Sequence, residues 1–267
     1  MIEIAISLAV IGFALVAIIG ILPTGMNVQK ENREETIIGQ DEGVILDAIR
    51  SGAKGMDDLT NYVDAITNFV TEYTSAGKLP GYQEGFTYTN STKNSALTTP
   101  LFPIFNGYRI VGLLSRPKYV NISSGQITAF RSNYVVAYVR SMSGPASEKV
   151  PQTNQAIREF AFNYRLSSDV VSYASYDPNW TNFSAPGLTA REIVIRSNYW
   201  RVALNTQTNL YDIRLLFRWP LLANGDVGPG RQAFRALVSG SLTLDNTVPL
   251  FPLYFFEPRN YVKAPLP

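Results

Sequence analysis

Histidine and cysteine are both absent from the 267 residues. Without them there is no Ser-His-Asp or Cys-His catalytic site, and no imidazole general acid or base. There is no disulfide framework, no CxxC redox pair and no thiolate metal site. Any enzyme chemistry would have to come from carboxylates, Lys, Tyr or Ser. Charge is sparse too: 16% of residues are charged, against a usual quarter. The polar surface therefore leans on Ser, Thr, Asn and Gln, a composition common in exported proteins. Zero cysteine fits an extracytoplasmic chain that uses no disulfides.

A core is amply provided for, with 46% apolar and 12% aromatic residues. The length suggests one principal domain with an appendage. The net charge of +2 hides an asymmetry. Residues 1–76 carry 4 Lys and Arg against 11 Asp and Glu, net −7, and residues 77–267 carry 19 against 10, net +9. Two readings stay open: charge that follows secondary structure, or an acidic front of one copy meeting the basic body of another. No Lys/Arg run or nucleic-acid motif occurs, so no specific nucleic-acid partner is expected.

Residues 4–22, IAISLAVIGFALVAIIGIL, hold no charge. As a helix they span about 28 Å, close to the hydrocarbon thickness of a bilayer. A cleavable signal peptide wants a positive start, a shorter core and a small-x-small exit. Here Glu3 precedes the core, so that reading is set aside. A plain membrane anchor explains the run but not Glu3. A carboxylate at the edge of such a run is costly without a partner. The positive end of the helix dipole and an α-amino group, its own or a neighbour's, are the partners at hand.

The opening MIEIAISLAVIGFALVAIIGILPTG resembles the N-terminus of type IV pilins and type II secretion pseudopilins. The shared pattern is a few apolar residues, a glutamate, about twenty apolar residues, then a more polar helix. Only Met1 and Ile2 precede the glutamate here, where the family usually has more. The resemblance implies that Glu3 neutralises the N-terminal amine of an adjacent subunit, which places Glu3 and Met1 in subunit assembly. It implies that Pro23 bends the helix and that Gly12 and Gly20 are points where it unwinds. Its further implications are a homopolymer, an inner-membrane precursor cut by a prepilin peptidase, methylation, and an assembly machinery. The location implied is an extracellular filament, or the periplasm for a pseudopilin. No cofactor and no metal is expected, and no enzyme activity.

The helix is expected to continue beyond Pro23 with an amphipathic stripe, Ile38, Ile45 and Ile49. Gly39 and Gly43 weaken it, and the reading favours a break at Gly39 with Asp41 in solvent. Residues 57–76 show Leu59, Val63, Ile66, Val70 and Tyr73 at helical spacing and predict a second helix. Residues 78–107 read as a long loop region, with short strands as the regular structure it could hold. Beyond them the candidate strands are 108–114, 133–140, 158–165, 191–196, 199–204, 210–219, 233–239 and 250–256. A turn NTQTN would join 199–204 to 210–219, giving a hairpin with Arg201, Arg214 and Arg218 on its outer face. The apolar tail from 251 should pack on the domain or on a neighbour. The expected fold is thus α+β: a long hydrophobic spine over 1–50, a second helix and loop over 51–107, and a β-rich head over 108–267.

Weaker motifs add little. ANGDVGPG at 223–230 reads as a turn, and Asn224 with Asp226 is too sparse for calcium. Sequons at Asn90, Asn121, Asn179 and Asn182 match chance frequency. Glu148, Glu159 and Asp169 have no spacing of a catalytic pair. Two alternatives to a pilus subunit remain: a pseudopilin, and a membrane-anchored monomeric β-domain that binds a ligand or cell-wall polymer.

Overall fold

The computed structural model describes residues 2–52, 57–74, 77–89, 101–104, 106–122, 129–143, 162–174, 182–183, 185–222, 224–246 and 252–263. Met1, Asn90, Asn179, Glu148 and Glu159 lie outside the described residues, as do 158–161 of one expected strand.

One helix, α1 (Ile2–Ser51), opens the chain and is continuous over 50 residues. At 1.5 Å per residue it is about 75 Å long. A short 3-10 turn (Asp57–Asn61) leads into β1 (Val63–Thr74), β2 (Gly77–Thr89) and β3 (Leu101–Pro103). There follow α2 (Gly107–Leu114), β4 (Tyr119–Asn121), β5 (Ala129–Arg140) and β6 (Asn163–Ser172). The chain continues through α3 (Ala190–Asn209), β7 (Leu210–Leu221), β8 (Val227–Ser239), β9 (Ser241–Asp245) and β10 (Leu253–Glu257). The fold is α+β: a long apolar N-terminal helix and a domain built on an antiparallel sheet.

The main sheet has the order β3-β2-β1-β5-β6-β7-β8, with β4 also paired to β5. Among the described strands every pairing is antiparallel except the short β2–β3 pair. One face carries the core, where Ile66, Tyr164, Leu166, Ile213 and Phe217 are fully buried. Onto it pack the C-terminal half of α1, the helix α2, and the separate β9–β10 pair. Gly112 marks a close contact between α2 and β10: a Cβ there would stand 2.6 Å from the Phe255 ring and 2.8 Å from Leu253. The apolar tail therefore packs on its own domain through β10, as one of its two expected alternatives had it.

Four expectations are corrected. The segment 57–76 is not a helix but the 3-10 turn and β1. β1 lies between β2 and β5 and is buried along most of its length, so apolar residues crowd it without alternation. The segment 108–114 is not a strand but α2, capped by Asn106, whose side chain accepts from the Arg109 N–H. The segments 191–196 and 199–204 are not a hairpin arm but the single helix α3. Where 78–107 is expected to hold short strands at most, β2 runs for 13 residues over Gly77–Thr89. The strands expected over 133–140, 210–219 and 233–239 are present as β5, β7 and β8, and part of 250–256 as β10.

Candidate assembly helix and its seat on the head

The two halves of α1 have opposite surroundings. From Ile2 to Arg33 the described side chains are exposed, with Ile2 at 77% and Phe13 at 80%. The most apolar 18-residue stretch is not buried at all, and the helix is long and apolar enough to cross a membrane. Burying one such side chain is worth about 1.5–3 kcal/mol. A helix apolar on all sides needs apolar cover on all sides.

The second half is seated on the sheet. Ile38, Ile45, Ala48 and Ile49 are buried, and the helix does not break at Gly39. Asp41 is not solvated: it is fully buried on the same face. It accepts hydrogen bonds from the Met142 backbone N–H and the Tyr164 hydroxyl, both at 3.0 Å. Burial pushes the Asp41 carboxyl above its ordinary value, against the opposing pull of hydrogen bonds from Ser143, Met142 and Tyr164. The Tyr164 hydroxyl is pushed far up by burial and by the carboxylate beside it.

Where the helix leaves the head, Glu34 forms a clasp. Its Oε2 accepts from Trp219 Nε1–H at 3.0 Å, and Lys30 approaches its other oxygen at 3.8 Å. The Trp219 ring lies over Gly230, where any Cβ would come within 2.5 Å of Nε1. Trp219 is on β7 and Tyr164 on β6, and the two residues neighbour each other across the strands. Going from Glu34 to Asp41, α1 thus passes from β7 to β6 and lies across the strands. At the far end Gly52 takes φ +67°, close to the Phe256 carbonyl oxygen, so a side chain there would be strained twice over.

The residues singled out from the sequence occupy the free half. Glu3 is in the first turn and exposed, and its backbone carbonyl accepts from Ser7 Oγ at 2.8 Å. Gly12 and Gly20 lie within the helix with open space where a Cβ would point. The helix runs through Pro23. Proline has no N–H, so the Ile19 carbonyl lacks its intrahelical donor there. Glu34, Asp41 and Trp219 were not foreseen as a seat. Asp41 carried a signal, since a continuous helix puts it among Ile38, Ile45 and Ile49.

The other candidates are dispersed. Arg201 is on α3, where it donates to Asn198 at 2.9 Å, away from the strand that bears Arg214 and Arg218. Asn224 donates to Asp226 at 2.6 Å, closing the turn between β7 and β8. No cluster of metal-ligating side chains occurs among the described residues. Asn121 is on β4 and Asn182 precedes α3. The chain matches no family model, no curated protein and no solved structure.

Proposed function

We propose that the chain is a structural subunit of a type IV pilus-like filament and polymerises through α1. The observation that carries this reading is the division of one continuous helix. About thirty residues stand clear of the domain and are apolar over most of their length, and the rest is clamped to the sheet. A bilayer covers the free half before assembly, and the free halves of neighbouring copies cover it afterwards. Glu3 sets the register between neighbours, because an unpaired charge inside an apolar bundle costs several kcal/mol. A pseudopilin would use the same geometry in a shorter periplasmic fibre. An anchored monomer would use the helix alone and would have no need of Glu3.

The Glu3→Ala variant tests this role. The expected outcome is a folded, membrane-held chain with filament yield down by about tenfold or more, as loss of one buried charge pairing implies. Wild-type yield from the variant would remove Glu3 from the account.

A further inference from the structure

The sheet face turned away from α1 carries a row of arginines. Arg165 on β6, Arg218 on β7 and Arg231 on β8 are direct cross-strand neighbours. They alternate with Tyr164, Phe217, Trp219 and Gly230 on the core face, so they point away from the spine. Like charges placed directly opposite destabilise a sheet. Four residues along the strands the same face neutralises its charges. There Arg214 and Arg235 share Asp212, each at 2.7 Å, and Asp169 is paired with Lys118 at 2.7 Å. No such carboxylate serves Arg165, Arg218 or Arg231 among the described residues.

The complementary charge lies on α1. Glu34 is engaged by Trp219 and Lys30, whereas Glu31 and Glu35 are exposed with no ion pair among the described residues. Four residues apart on a helix, they stand about 6 Å from each other, near the ~4.8 Å spacing of neighbouring strands. They belong to the front of the chain, net −7, and the arginines to the body, net +9. They cannot reach the row of their own domain, because the sheet lies between.

We propose that Arg165, Arg218 and Arg231 form a docking row for Glu31 and Glu35 of a second copy of this chain. The proposal rests on the filament reading and adds to it a contact outside the apolar core. One exposed pair contributes little by itself, but the contact repeats with every subunit added. It also fixes which face of one head meets the neighbour's spine.

Three full-length variants test it: R218E/R231E, E31K/E35K, and the chain carrying all four changes. Protease resistance of the head verifies folding, with R218Q/R231Q as a milder version. Either charge reversal alone should lower filament yield about tenfold, and the combined chain should recover to within about threefold of wild type, because the swapped signs match again. Wild-type yield from R218E/R231E, or a combined chain no better than its parents, would overturn the proposal. So would a reversal that keeps its yield but loses retention on heparin, which would give the row to a polyanion. If Glu3→Ala loses filaments while R218E/R231E keeps them, this contact fails and the filament reading stands. If the wild-type chain forms no filaments, both fall.

Discussion

Asp41 is the side chain that ties the long helix to its head most directly. It is charged in water, fully buried in the fold, and hydrogen-bonded to two groups on the sheet side. Removing the acceptor and keeping the burial, as in Asp41→Ala, leaves the Met142 N–H and Tyr164 hydroxyl unpaired at a cost of about 1–3 kcal/mol. Asp41→Asn keeps an acceptor and removes the charge. The folded-state pKa of Asp41 is raised, so the folded chain binds this proton more tightly than the unfolded chain. Its ionised form therefore weakens the seat at neutral pH, and that penalty fades as pH falls through the raised value. Asp41→Asn should thus match or exceed wild type in thermal stability at pH 7, and the gap should close toward pH 4. A gap that widens on acidification would contradict this assignment. The conflict was legible in the sequence, where an aspartate interrupts an isoleucine stripe. Its resolution was not, because Tyr164 and Met142 are more than a hundred residues away.

At the scale of elements, the segment types misread from the sequence share one cause: apolar spacing does not say what covers a residue. β1 has neighbours on both edges and its buried positions run together, so four of its apolar residues, with Leu59 just before it, fall at helical intervals. α2 is buried on nearly every side and rich in residues that also suit strands. α3 has no buried residue, so alternation in its sequence reflected no sheet face. Its true signal was local. Thr189 and Glu192 form a capping box, the Thr189 N–H donating to Glu192 Oε2 at 2.8 Å and Glu192 N–H donating back to Thr189 Oγ1 at 3.3 Å. An exposed helix depends on such a cap more than a buried one does. Thr189→Ala should cost about 1 kcal/mol, confined to α3. Hydrogen exchange should quicken at amides 190–195 and stay unchanged in β6 and β7; an unchanged first turn would show that the cap is dispensable.

For the whole molecule the two halves of α1 decide the account. The free half was readable from 19 uncharged residues alone, and its exposure on all sides agrees with that reading. The seated half was readable as a stripe, though not as one unbroken helix. The order of the sheet, and with it the arginine row, depends on strand pairings that no local pattern encodes. A chain with so much uncovered apolar surface needs company, whether lipid or its own copies. The most direct measurement is electron microscopy of sheared cell-surface material, with mass spectrometry identifying the filament subunit. The account predicts thin filaments built of this chain. Finding the chain solely in membranes, as a monomer, would contradict it.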